Sequence, residues 1–270
     1  MPRRGGSPAE RSPGPAVVRL VGIPIHRTGA ADCVAHVLDE LEAGRGGVLV
    51  TPNLDHLRRL VAEPAFRALY ADAQRVVADG MVLVWASRLQ GEPLPERVAG
   101  SDLIWSLSAG AAERGRSVFL LGGDEGTAER AAAVLSERCP GLRVAGHHCP
   151  PHGFEADPAA TAALEAALRD ARPDVVYVGL GSPKQEELIA RLRADHPGAW
   201  WLGVGISFSF VTGGIRRAPR WMQRCGLEWT HRLAQEPRRL ARRYLLQGLP
   251  FALRMFASAL AVRLRGGGAP

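Results

Sequence analysis

The sequence predicts an α/β fold: a Rossmann-like, mostly parallel sheet flanked by helices, followed by a helical, arginine-rich C-terminal appendage. Three observations predict it. Short runs rich in Val and Leu alternate with amphipathic stretches, the mark of βαβ units whose strands are covered on both faces. Polar and glycine residues follow those runs directly, where ligands bind beyond the carboxyl ends of parallel strands. From residue 215 onward the strand pattern stops, and Trp-bearing helical segments broken at Pro219, Pro237 and Pro250 take over.

The expected strands are "VVRLVGI" (17–23), "GVLVT" (47–51), "RVVA" (75–78), "SVFLLG" (117–122), "LRVAGH" (142–147), "DVVYVGL" (174–180) and "WWLGVG" (200–205). Helical patterns such as 33–44 and 126–138 lie between them. Residues 1–16 lack an apolar core and read as a disordered tail, 17–214 as the Rossmann-like core, and 215–270 as the appendage. The 270 residues, 46% hydrophobic, suffice for a sizeable core. Cys33, Cys139, Cys149 and Cys225 form no CxxC pair, which points to a reducing, cytoplasmic compartment. No uninterrupted apolar run reaches the ~18 residues that span a bilayer.

Charge is unevenly placed. Residues 216–270 hold twelve Arg against Glu228 and Glu236, a net +10, whereas the whole chain is +7. The basic character therefore belongs to the appendage and asks for an anionic partner there: phosphate, nucleic acid or a membrane surface. The stretch 249–264, "LPFALRMFASALAVRL", is too short and too charged to span a bilayer but suits a helix lying in its interface. Packing on the core, or a dimer seam in a homo-oligomer, is the alternative.

The strand ends carry the candidate chemistry. In "ADG" (78–80) a carboxylate, Asp79, sits at the seam between an apolar strand and an apolar helix. Burying an unpaired carboxylate is costly, so Asp79 is either a helix cap or a general base whose affinity for protons is raised by Val76, Val77 and Met81. In "TPN" (51–53), Thr51 and Asn53 read most simply as caps of the next helix, though both face the same cleft. In "GGDEG" (122–126), Gly122 and Gly123 either approach a phosphate or sugar or merely make the turn; the spacing is not GxGxxG. "GLGSPKQEE" (179–187) reads as a capping box, with Ser182 as N-cap and Gln185 reaching back. Gly179 and Gly181 also let backbone approach a ligand, and Lys184, the only lysine in the chain, stands at a helix N-terminus that favours an anion. "HHCPPH" (147–152) looks like a metal cluster, but its stiff prolines and the lack of a second ligand group favour a plain loop. No D-x-D pair occurs in the sequence.

Taken in order, these motifs resemble the WecG/TagA/CpsF family, glycosyltransferase family 26, over residues 17–247. The resemblance rests on "TPN", "ADGMVLVWASRLQGEPLPERVAGSDL" (78–103), "VFLLGG" (118–123), "GLGSPKQEE", "RAPRWM" (217–222) and "GLEWTHRLAQEPRRLARR" (226–243). It implies an inverting, metal-independent glycosyltransferase that needs no cofactor. The implied donor is a UDP-sugar of the hexosamine type, and the acceptor a polyprenyl-diphosphate-linked sugar at the inner face of the cytoplasmic membrane. The resemblance gives Asp79 the role of general base and places Thr51 and Asn53 in the catalytic pocket. It counts Gly80, Arg97, Gly100 and Asp102 among the substrate-binding residues, and has Gln185 contact the nucleotide. It has Arg232, Arg239 and Arg242 stabilise the diphosphate. One departure stands out: Ser209 occupies a place where the family commonly has an acid, which puts donor preference in question.

Two other classes are weighed. The βαβ pattern alone would also fit a nicotinamide-dependent dehydrogenase, but the glycine fingerprint is weak. The basic tail would fit a nucleic-acid-binding module, but no helix-turn-helix, RRM or zinc-finger pattern accompanies it, so no specific nucleic acid is expected.

Overall fold

The computed structural model describes residues 16–266. The expected N-terminal tail lies outside the described residues except for Ala16, whose carbonyl accepts the Arg27 N–H at 2.7 Å. The strands are β1 (Val17–Leu20), β2 (Ile23–His26), β3 (Gly47–Val50), β4 (Arg75–Val76), β5 (Ser117–Gly122), β6 (Arg143–His148), β7 (Val175–Gly179) and β8 (Trp200–Gly203). The core helices are α1 (Ala30–Glu42), α2 (Leu54–Ala62), α3 (Pro64–Ala68), α4 (Met81–Gln90), α5 (Gly100–Glu113), α6 (Thr127–Arg138), α7 (Pro158–Ala171), α8 (Lys184–Leu192) and α9 (Ser207–Val211). Beyond them come α10 (Arg220–Arg224), α11 (Glu228–Gln235), α12 (Pro237–Ala241) and α13 (Leu249–Gly266).

Six strands form one wholly parallel sheet in the order β4-β3-β8-β7-β5-β6. Alternate side chains feed two separate cores, as the pleat requires. Val48, Val50, Phe119, Leu121, Val176, Val178 and Trp201 face α2, α4, α7, α8 and α13. Leu49, Val77, Val118, Leu120, Val175, Tyr177, Trp200 and Leu202 face α1, α5, α6 and α9. The arrangement is a three-layer α/β/α fold.

Two expectations need correcting. The single strand expected over 17–23 is a separate two-stranded antiparallel hairpin, β1–β2. Val21 and Gly22 turn it, with φ of 45° and 84°. Positive φ at both central residues matches the right-handed twist of a tight hairpin, but Val at the first of them gives no sequence signal. The C-terminal helix is also longer than the 249–264 stretch. Residues Pro237–Gly266 run as one 30-residue helix, with a π-helical turn over Arg242–Gly248. Pro237 begins it at the first helical position, where its missing N–H costs nothing, and the widened turn falls just ahead of Pro250. By length and composition alone this helix could cross a membrane, with a mean hydropathy of 1.5 over its most apolar window. For part of its surface it packs along α4, burying Phe251, Ala252, Met255 and Ala259.

Candidate active site

The parallel sheet sets where a ligand can sit. After β3 and β7 the chain passes to the first face, through α2 and α8. After β5 and β8 it passes to the second, through α6 and α9. Neighbouring strands whose helices diverge leave a crevice beyond their carboxyl ends. Here β3/β8, β8/β7 and β7/β5 are all such pairs, and they open on the same edge.

Asp79 stands at that edge. Its backbone N–H donates to the Pro52 carbonyl at 3.0 Å, which fixes it beside the Thr51–Asn53 turn. It does not cap α4: the N-cap is Gly80, at φ 152°, and no side-chain cap bond forms. No protein donor among the described residues bonds its carboxylate. Asp79 keeps a partly exposed surface, yet protein surrounds it at longer range. Burial pushes its pKa up to about 7, and Glu228 and Asp102 add to the rise while Arg97 and Arg217 oppose it. A carboxyl group open to a cleft and poised near neutrality is suited to take a proton.

The four charges just named form a closed ring. Arg97 donates to Asp102 at 3.0 Å and to Glu228, and Arg217 donates to Glu228 at 3.0 Å and bidentately to Asp102. Arg97 and Asp102 come from the loop and helix after α4, Arg217 and Glu228 from the segment after β8. Burial alone would raise the Asp102 carboxyl, but the bonds and charge of Arg217, then Arg97, hold it below its ordinary value. Arg97 and Asp102, both expected among the substrate-binding residues, each already hold two protein partners.

Asn53 caps α2 as its simplest reading predicts, accepting from the Asp55 and His56 N–H groups at 3.0 and 3.2 Å. His56 completes the box by accepting the Asn53 N–H at Nδ1, 3.2 Å, and burial drives its pKa down to about 4. The Asn53 amide NH₂ group remains for a ligand. Thr51, His56, Tyr70, Gln185, Glu186 and Gly203 line a small recess behind this turn. Gly100, at the start of α5, is buried; a Cβ there would lie 3.3 Å from the Thr51 Oγ1 and the Gly203 carbonyl. Its smallness lets α5 approach the Thr51 side chain and the end of β8.

The capping box expected at "GSPKQ" does not form. α8 starts at Lys184 without a side-chain cap, and Ser182 instead accepts from Arg59 at 3.3 Å. Gln185 is engaged elsewhere: its Oε1 accepts the Gly205 N–H at 3.1 Å and its Nε2 donates to Glu186 at 2.9 Å. The side chain is 6% exposed and lies on Gly203, where a Cβ would approach its Nε2 to 2.7 Å. Glu186 is buried beside it with one oxygen unpartnered, and burial raises its pKa. Gln185→Ala frees the Gly205 N–H and loosens the turn after β8. The expected result is a roughly tenfold weaker UDP affinity with a Tm lowered by a few degrees, read by calorimetry. Lys184 pairs with Glu155 at 2.9 Å and is half exposed.

The glycines divide into two pairs. Gly122 and Gly179 are buried, and a Cβ on either would strike Gly179 backbone or the Phe208 ring at 2.9 Å or less. Gly123 and Gly181, at φ 82° and 72°, are partly exposed at the β5/β7 crevice, and the Gly123 N–H is tied to the Gly179 carbonyl at 2.8 Å. In the appendage, Glu236 pairs with Arg239 and lies 4.0 Å from Arg232, while Arg242 is exposed. None of these three arginines is among the charges with the largest effect on Asp79. Among the described residues no group of three His, Cys, Asp or Glu side chains could hold a metal ion, "HHCPPH" included.

The family model described as "Glycosyl transferase WecG/TagA/CpsF family" matches residues 18–265, nearly all of the described chain. The protein belongs to the WecG/TagA/CpsF glycosyltransferase family. A relative from Bacillus spizizenii, named N-acetylglucosaminyldiphosphoundecaprenol N-acetyl-beta-D-mannosaminyltransferase, is 33% identical over 202 residues, covering 75% of this chain and 76% of its own. The protein is therefore a glycosyltransferase. In this WecG/TagA/CpsF member the sequence motifs converge on one edge of the sheet, but reading them residue by residue missed Arg217, Glu228, His56 and Glu186. Arg217 opens "RAPRWM" and Glu228 sits in "GLEW". The signal available was opposite charge in two distant motif blocks.

Proposed function

We propose that the protein is an inverting glycosyltransferase that moves a hexosamine-type sugar, such as N-acetylmannosamine, from a UDP-sugar to an undecaprenyl-diphosphate-linked sugar. The observation that carries the reading is Asp79: a carboxylate at the carboxyl edge of a parallel sheet, unbonded by protein donors, held near neutrality by burial. The acceptor hydroxyl attacks the anomeric carbon as the bond to the UDP oxygen breaks, and Asp79 takes the hydroxyl proton. One such base suffices for a single inversion. The departing diphosphate needs positive potential, which the appendage arginines Arg232, Arg239 and Arg242 and the exposed N-terminus of α8 with Lys184 supply. Gly123 and Gly181 admit the nucleotide at the β5/β7 crevice, and Gln185 fixes the turn after β8 beside it. Thr51 and Asn53 orient the acceptor. The relative's printed name supports both the sugar and the lipid carrier.

The appendage brings the enzyme to its acceptor at the inner face of the cytoplasmic membrane. Leu245, Leu246, Leu249, Leu253, Leu260 and Leu264 are exposed on and just before α13, on the surface left free by its packing against α4. Arg254 and Arg263 lie within the same helix, as an interfacial helix on anionic lipid requires.

The test is direct. The protein is incubated with a panel of UDP-sugars and a short-chain prenyl-diphosphate N-acetylglucosamine, and products are read by mass spectrometry. A single added N-acetylhexosamine is the expected mass. UDP is expected to raise the thermal stability of the protein, and absence of both UDP stabilisation and product would overturn the donor assignment.

A further inference from the structure

Between Ala218 and Leu240, both buried, no side chain is buried. The segment therefore forms a flap, α10 and α11, anchored at its two ends and held over the cleft by very little apolar packing. Its apolar contacts are few: at Gly226 a Cβ would strike the Trp85 ring at 2.5 Å and the Met81 Cβ at 2.8 Å, and Trp229 meets the Tyr244 ring edge-on at 6.1 Å. Segments with so few buried contacts open at low cost unless something else fastens them. The fastening here is polar. Arg217, at the flap's root, and Glu228, at the start of α11, carry half of the four-membered ring whose other half, Arg97 and Asp102, belongs to the core. Arg97, Arg217 and Glu228 are the well-covered members, with side chains 14%, 19% and 18% exposed.

We propose that Arg217 and Glu228 are positioning residues: they latch the flap onto Arg97 and Asp102 and so close the wall over Asp79. The latch rests on the reading of Asp79 as the base only for its kinetic consequence. Its geometry stands independently. Two cations and two anions alternate around the ring, so closing it adds no net charge beside Asp79, and what the closed flap contributes is exclusion of water. Opening the flap removes Arg217 and Glu228 together, leaves Arg97 and Asp102 paired, and returns solvent to Asp79. Since burial is the largest cause of Asp79's raised proton affinity, the acidic limb of the rate profile moves to lower pH on opening.

The test uses the full chain carrying Arg217→Met together with Glu228→Gln, which removes the flap's half of the ring without changing net charge. Tryptic cleavage within 219–239, at Arg220, Arg224 or Arg232, is expected to quicken about tenfold or more. The ratio kcat/KM is expected to fall by about 10- to 100-fold with the acidic limb displaced downward, while UDP affinity stays within about threefold. Glu228→Gln alone, read by its rate of tryptic cleavage, decides the latch if the double variant does not fold, since losing the Glu228 charge by itself lowers the Asp79 proton affinity. Unchanged cleavage would overturn the latch. Faster cleavage with an unmoved acidic limb would overturn the positioning role over Asp79. Normal turnover in Asp79→Asn would sink the base assignment and leave the cleavage result to judge the latch by itself.

Discussion

Asp79→Asn is expected to lower turnover by ~10²–10⁴-fold, the usual loss when a positioned general base is removed. The amide keeps the shape of the side chain and its backbone bond to Pro52, so UDP affinity should persist. The same variant should be more stable than the parent above neutral pH. The folded pKa of Asp79, about 7, lies above the ordinary aspartate value of 3.8. The folded state therefore binds the proton more tightly, and the parent loses stability as pH rises from about 4 through about 7. Above that window the asparagine avoids burying a charge, worth on the order of 1–3 kcal/mol after allowance for the group's partial exposure. Denaturant titrations at pH 5 and pH 8 read the difference directly. Equal stability of the two proteins at pH 8, or near-normal turnover, would return Asp79 to an ordinary surface carboxylate. The parent's kcat/KM should rise through about pH 7, and the residual rate of the variant should lack that limb.

The combined change Leu246→Glu, Leu253→Glu and Leu264→Glu should abolish binding to anionic vesicles while leaving the fold intact. These three leucines are 73%, 64% and 72% exposed, so replacing them leaves no cavity. Each leucine lost from an interface forfeits about 1.5–3 kcal/mol, and three together amount to at least a ~10³-fold weaker partition. Deleting the whole helix would be a poorer test, because Phe251, Met255 and Ala259 complete the core over α4. Activity on a short, soluble acceptor should survive the triple change, and activity on a long-chain acceptor in vesicles should not. Retention of vesicle binding would assign the exposed leucines to some other contact, such as a second copy of the chain.

The main strands were legible along the chain because each is a short Val/Leu run between helical patterns, and burial on both faces needs no finer signal; their order within the sheet was not. The hairpin was not, since Val21 at positive φ breaks the usual turn chemistry. Asp79 was legible as an anomaly: a lone charge between apolar elements has few physical excuses. Gln185 was legible as important, yet its local pattern pointed to a capping box, and a tertiary bond to Gly205, twenty residues away, took the side chain instead. The Arg97–Glu228 pair spans more than a hundred residues, and no spacing rule reaches that far. Pro250 illustrates the opposite error. Proline breaks helices on average, but a wider turn just before it lets the helix continue.

The way α13 lies along α4 has a consequence for altitude. The two helices run side by side from the cleft outward. Gly248, ahead of α13, sits by Leu54 at the start of α2, and Arg263 reaches the Leu89 carbonyl at the far end of α4 at 3.5 Å. The leucine face of α13 therefore extends parallel to the very helix that begins next to Asp79. With α13 resting on a bilayer, α4 rides above it by one helix spacing, about 8–10 Å. On the proposed membrane docking, Asp79, at the start of α4, would lie at a small height over the lipid headgroups. Under that proposal, the thickness of a single helix layer would set how far above the lipid an acceptor hydroxyl has to be carried to reach Asp79.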